Sequence, residues 1–120
     1  MGFRIGQIYL LFCLYTKPPK PKIAICVCDS KPLFFFINSE PRPYLDQSSQ
    51  ILVTPHELPF LDYNSYINTS EVVTCVEPIT CIIKKKFSVV PKSVADKIKK
   101  TVKSSTTLAE RHIKTILRNL

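Results

Sequence analysis

Few residues in this 120-residue chain are of types that do chemistry, and their spacing limits the choices. His56 is the one histidine outside the C-terminal third; an imidazole titrates near neutrality, so it can act as acid or base. A lone loop histidine can equally well just face solvent. Glu40 follows Ser39 in Ser39-Glu40-Pro41-Arg42-Pro43, where a carboxylate can take a proton or remain a solvated loop charge. Tyr63 and Tyr66 flank Ser65 and can stack on nucleobases, although at this spacing one of them suits a core equally. Lys84-Lys85-Lys86 either borders an anion-binding groove or protects an edge strand from unwanted pairing. A second basic group, Lys17, Lys20 and Lys22, sits in a proline-rich segment near the N-terminus.

Other chemistries are excluded by what is missing. Gly2 and Gly6 are the only glycines, so no Gly-rich loop can cradle a nucleotide phosphate. There is no G-x-S-x-G nucleophile motif, and the nine acids are scattered rather than paired for glycoside chemistry. The five cysteines (13, 26, 28, 75 and 81) include no C-x-x-C, and His56 and His112 do not complete a zinc spacing. No metal and no cofactor are expected. The thiols read as small buried hydrophobes in a reducing, cytoplasmic setting. Strict alternation would put Cys26 and Cys28 on one face of a strand.

The charge is unevenly spread. Residues 1–83 hold six basic and seven acidic side chains, whereas residues 84–120 hold eleven and two. A strongly basic final third calls for an anionic partner, a nucleic acid or an acidic protein, or is a solvated Lys-rich helix face. The apolar run 8–15 is too short to span a bilayer, and Lys17-Pro18-Pro19-Lys20 follows it in place of a small-residue cleavage site. Gly6 stands where myristoylation would want Ser or Thr. That run is read as a first strand.

The elements that must position these groups follow from periodicity. Strands are expected over 6–15, 23–28, 33–38, 51–54, 63–68, 71–76 and 79–83, with a helical turn within 55–61. Residues 39–49 form a long polar loop, the natural place for a lid or a partner contact. Many short strands with turn signals between them argue for a small barrel or a strongly bent sheet. From Pro91 onward the period becomes helical. Val94, Ile98, Thr101 and Val102 form one apolar stripe, and Ala109, Ile113, Ile116, Leu117 and Leu120 another. Thr107-Leu108-Ala109-Glu110 matches a capping box for the second helix. The expectation is a single domain over 1–120, with a β core over 1–87 closed by a basic helical segment over 88–120.

Gly6-Gln7-Ile8-Tyr9 resembles the G-D-I-Y/V opening of the PemK/MazF-like toxins. The likeness continues through the basic loop, Lys20-Pro21 leading into an apolar strand, Phe34-Phe35-Phe36-Ile37-Asn38-Ser39, Asn64-Ser65-Tyr66, and the helix after Val89. It implies an SH3-like barrel, often dimeric, that cuts single-stranded RNA without metal by attack of the 2′-hydroxyl on the adjacent phosphorus. It also implies a neutralising antitoxin. Family pattern places an Arg in the first loop and a Thr or Ser at the third strand's end; here these fall on Lys20 and on Asn38 or Ser39. Lysine offers a point charge where arginine offers a planar fork, so phosphate contact survives the exchange more easily than catalysis. The implied catalytic set is Lys20 and Ser39, with His56 as acid or base; Lys17, Lys22, Asn38, Ser65, Tyr66, Lys84 and Lys85 would hold RNA. A non-catalytic binding module on the same sheet, and an interaction subunit working through its basic helical tail, are the competing readings.

Overall fold

The computed structural model describes residues 3–41, 43 and 47–120. Met1 and Gly2 lie outside the described residues, as do Arg42, Tyr44, Leu45 and Asp46 of the expected long loop. In chain order the elements are β1 (Gln7–Cys13), β2 (Lys20–Cys28), β3 (Leu33–Asn38), a 3-10 turn (Gln47–Ser49), β4 (Gln50–Val53) and β5 (Ser65–Asn68). Then come β6 (Val73–Thr74), β7 (Cys81–Val89), α1 (Lys92–Lys103) and α2 (Glu110–Asn119). All strand pairs are antiparallel, in the order β4-β5-β3-β2-β1-β7, with β6 also on β3. The protein is mainly β with two C-terminal helices.

The sheet is not closed. The outer edge of β3 is shared: β5 takes its Ile37–Asn38 end and β6 its Leu33–Phe34 end. Neither short strand carries the ladder round to β7, so among the described residues no hydrogen-bonded ring forms. Of the small barrel or strongly bent sheet expected from the many short strands, the described residues show an antiparallel sheet without ring closure.

Two details follow from register. Pro21 lies inside β2, opposite Phe12, although prolines are poor ladder residues. There β3 no longer runs alongside, because Ile23 is the last residue of β2 paired to it; β2 is locally an edge, where proline is tolerated. At the other end of β2 a register shift separates Cys26 from Cys28. This bulge turns Cys28 to the opposite face, so the expected shared face of Cys26 and Cys28 does not exist.

The sheet buries side chains on both faces. On one, Ile8, Ile25, Phe35, Ile37, Ile51 and Ile67 pack against Val94, Ile98 and Val102 of α1 and Ile116 of α2. On the other, Tyr9, Leu11, Ala24 and Phe34 surround Cys13, Cys26, Cys75 and Cys81. All five thiols are free and buried. Burial drives the Cys26 thiol up to about 12, with a hydrogen bond between the thiol and the Cys28 backbone acting the other way. Four of the cysteines therefore behave as compact apolar filling.

The helices start as the apolar stripes predict, but their caps differ. Pro91 occupies the N-cap position of α1 and Ala109 that of α2, neither with a side-chain cap. Thr107 does not cap α2, because its hydroxyl donates to the Ser70 carbonyl. Ser105 Oγ instead accepts from the N–H groups of Thr107 at 3.2 Å and Leu108 at 3.1 Å. Among the described residues no helix is long and apolar enough to cross a membrane.

A capping box does form elsewhere, in the turn after β4. The Thr54 N–H donates to Glu57 Oε1 at 3.1 Å, and Lys97 Nζ of α1 donates to Glu57 Oε2 at 2.6 Å. The Lys97 hydrogen bond, opposed by burial and assisted by the Thr54 N–H, holds the Glu57 carboxyl below its ordinary value. A depressed carboxylate stabilises the fold above the unfolded value of about 4.3, and that stability is lost as pH falls toward the lower folded value. Acid titration should therefore destabilise wild type more than Glu57→Gln. Lys97 is half exposed, which screens the pair and limits the gap to under about 1 kcal/mol. Denaturant midpoints on either side of this range measure it.

Candidate functional site

One row of aliphatic side chains crosses five strands. Leu10 lies opposite Ile23, Ile23 opposite Ile37, Ile37 opposite Ile67, and Ile67 opposite Ile51. At the β4 end the row is buried in the helix-side core, while Ile23 and Leu10 are only half-buried. There they floor a cleft of about 430 Å³ that no residue of α1 or α2 lines. The cleft is apolar below because it is the uncovered end of the core row.

Its walls are polar. Lys22 comes from β2, while Asn38, Ser39 and Glu40 come from the end of β3. The facing wall is the segment entering β5, with Phe60, Asp62, Tyr63 and Ser65. Lys22 Nζ donates to Asn38 Oδ1 at 3.4 Å and stands 5.8 Å from the Phe36 ring centroid. Ser65 Oγ donates to the Tyr63 carbonyl at 3.2 Å, which fixes the turn and leaves the Tyr63 ring 60% exposed. Such a ring is available for stacking.

An aromatic wall extends the cleft toward β7. Phe60 stacks on Phe87 with ring centroids 4.3 Å apart and planes 9° from parallel. Lys85 Nζ stands 5.3 Å from the Phe87 centroid, and Lys84 Nζ 5.7 Å from that of Phe12. A register shift between Leu10 and Leu11 leaves Lys84 unpaired in the ladder beside Lys85. The lysines thus lie over half-buried rings on an edge strand, which serves both roles open to them from sequence: edge protection and a basic lip.

The residues singled out in the sequence divide accordingly. Lys22, Asn38, Ser39 and Ser65 line the cleft, and Lys84 and Lys85 adjoin it. Lys17 is exposed in the β1–β2 loop, and Lys20 is exposed where β2 begins, opposite Cys13. Neither lines the cleft. His56 is exposed on the turn after β4 and does not line the cleft. Tyr66 is half-buried between Asn38 and Leu52 in register and does not line it either. The Lys-Pro pairing drew attention to Lys20, yet the β2–β3 register sets Lys22 beside Asn38. Phe60 and Asp62 were missed, because nothing local marks a turn residue that a distant strand will meet.

Chemically the cleft combines one ammonium, two carboxylates (Glu40 and Asp62), hydroxyls and a stacking surface. Among the described residues no Arg or His lines it, and no three His, Cys, Asp or Glu side chains gather to hold a metal ion. The Asn68-Thr69-Ser70 sequon is buried, and Asn68 Oδ1 accepts from the Ser70 N–H at 3.0 Å and hydroxyl at 2.6 Å. It serves the fold. No protein-family model matches this chain and no curated protein matches it in sequence, so the cleft's own chemistry must carry its functional reading.

Proposed function

We propose that this protein is a PemK/MazF-like endoribonuclease, an SH3-like sheet that cleaves single-stranded RNA without a metal. The observation that carries the reading is the gathering of Lys22, Asn38, Ser39 and Ser65 from three strand ends around one cleft. From sequence, Lys22, Asn38 and Ser65 are expected to hold RNA and Ser39 to belong to the catalytic set.

In this reading a base takes the stacking surface of Tyr63, and the scissile phosphate lies against Lys22. The Glu40 carboxylate accepts the 2′-hydroxyl proton as the 2′-oxygen forms its bond to phosphorus. Lys22 stabilises the charge that develops on the phosphorane oxygens. The bond from phosphorus to the 5′-oxygen breaks, and that oxygen leaves with a proton from the Tyr63 phenol; the proton held on Glu40 then passes through water to the phenolate, restoring both groups. The products are a 2′,3′-cyclic phosphate and a free 5′-hydroxyl. A neutralising protein partner would act by covering this cleft.

The test is incubation of a mixed-sequence single-stranded RNA with the protein in EDTA, with end-group analysis of the products. Cyclic phosphate ends made by wild type and lost in Glu40→Gln are expected. Intact RNA with wild type, or equal cleavage by the variant, would sink the catalytic reading.

The aromatic wall beside β7 favours a second reading, a single-strand-binding module without chemistry. Lysines over half-buried rings bind a strand whether or not Glu40 and Lys22 react. Under either reading, Lys84→Ala and Lys85→Ala should each flatten the dependence of log binding constant on log salt by about 0.7. Fluorescence anisotropy of a labelled oligonucleotide across a salt series measures that slope.

A further inference from the structure

A second recess lies at the opposite end of β2, where the β2–β3 turn meets α2. It encloses about 360 Å³ and is lined by Cys28 at the end of β2, by Ser30 and Lys31 of the turn and by Arg111, His112 and Arg118 of α2. Arg111 and Arg118 are seven residues apart on α2, so they project from one helix face two turns apart. Lys31, Arg111 and Arg118 form no ion pair with a described residue; the lysines that do are Lys92, Lys97, Lys99 and Lys114. Asp29 is the one carboxylate in the lining.

The field of two of these cations is felt by His112. His112 is held below its ordinary value by burial first, then by the charges of Arg111 and Lys31. Burial alone would raise the Cys28 thiol, but hydrogen bonds from the Ser30 hydroxyl and the backbone N–H groups of Lys31 and Ser30 outweigh it. These bring the thiol below its usual value, against the opposing charge of Asp29. Cys28 Sγ lies 3.4 Å from Ser30 Oγ. The β2 bulge is what aims this thiol at the recess instead of the cysteine-filled core.

Like charges are not held round a cavity without cost. Three unpaired cations repel one another, and an anion among them converts that repulsion into attraction. Two guanidinium forks with one point-like ammonium match the oxygens of a phosphate better than a single carboxylate would. The cavity is at the small end of ligand pockets, with space for a phosphate and a modest body attached to it.

We propose that the recess formed by Lys31, Arg111, His112 and Arg118 is a binding site for a phosphomonoester dianion. The dianion is favoured over a phosphodiester because twice the charge meets the same three cations. A free nucleotide and the 5′-phosphate end of an RNA share this chemistry. The site does not rest on the cleavage reading: Lys22 and Cys28 stand six residues apart on β2, roughly 20 Å at about 3.3 Å per residue.

Cys28 itself reports occupancy. It keeps a trace of exposure, whereas the other four thiols are wholly buried; it should be the one that iodoacetamide alkylates in the native protein, as read by intact mass and peptide mapping. At constant ionic strength, AMP at about ten times its Kd should slow that alkylation roughly tenfold, the fraction of sites left open. Adenosine should not. Arg111→Gln with Arg118→Gln should abolish protection while leaving the unprotected protein folded, because both side chains are exposed. A 5′-phosphorylated oligonucleotide protecting at lower concentration than AMP assigns the site to an RNA end; protection by AMP alone assigns it to a free nucleotide. Should Cys28 resist alkylation, phosphorus NMR line broadening of AMP, lost in the double variant, reads the same binding. Equal effects of AMP and adenosine, no effect of either by both measurements, or protection that survives the double variant would overturn the proposal.

Discussion

Lys22→Ala should lower RNA cleavage in EDTA by roughly 10²–10³-fold, the usual loss when a preorganised donor to the transition state is removed. Lys20→Ala should leave cleavage within a small factor of wild type. The contrast is worth measuring because the two lysines are equivalent by local sequence: each flanks Pro21, and the two alternate onto one side of the strand. They differ in where the ladder leaves them. Lys22 lines the cleft and donates to Asn38, whereas Lys20 is exposed at the strand's start. Removing a half-exposed side chain where β2 is locally an edge, still laddered to β1, should not unfold the sheet, so circular dichroism and the melting temperature should hardly change. A loss as large for Lys20→Ala as for Lys22→Ala would move the site to the β1–β2 loop.

Phe35→Ala should destabilise the protein by about 3–5 kcal/mol, through lost burial and the cavity left behind. Phe35 is fully buried among aliphatic side chains on the helix-side face of β3 and pairs opposite Ile25 in the centre of the sheet. For a domain of this size the change corresponds to a fall in melting temperature of roughly 10–20 °C. Against a total stability of about 5–15 kcal/mol it leaves a marginal fold. Tyr63→Ala, at an exposed ring, should shift the melting temperature little while weakening RNA binding. Thermal melts of the two variants beside wild type separate the core's contribution from the cleft's.

These two results would also separate the readings of function. Lost cleavage with retained binding in Lys22→Ala would give the cleft a chemical role beyond substrate capture. Retained binding that depends on Lys84 and Lys85, with no cleavage by any variant, would leave the aromatic wall as the working surface. The recess beside α2 is insulated from both outcomes, since its lining comes from the other end of β2.

Much of this architecture was legible in the residues alone. Short apolar runs between turn residues marked β1, β3, β4 and β5 to within a few positions; in β3 the run is apolar on both faces, as a strand buried on both sides requires. The two helical stripes were equally plain, and Val94, Ile98, Val102 and Ile116 are buried as that periodicity requires. Composition excluded a Gly-rich nucleotide site, since no later folding step can supply glycines the chain lacks. What the tertiary structure decided is everything that depends on register. Whether Lys20 or Lys22 meets Asn38 is a matter of which residue of β2 lies beside which residue of β3. A bulge after Cys26 reversed the face of Cys28, an event that an alternating pattern cannot announce. Phe60 became part of the cleft only by stacking on Phe87, twenty-seven residues away in the chain. The sheet stayed open for the same kind of reason: strand length and β propensity are local, but closing a ring depends on which edges meet. Side-chain type and spacing are local properties of the chain, whereas a site is made of neighbours that only the pairing of distant strands brings together.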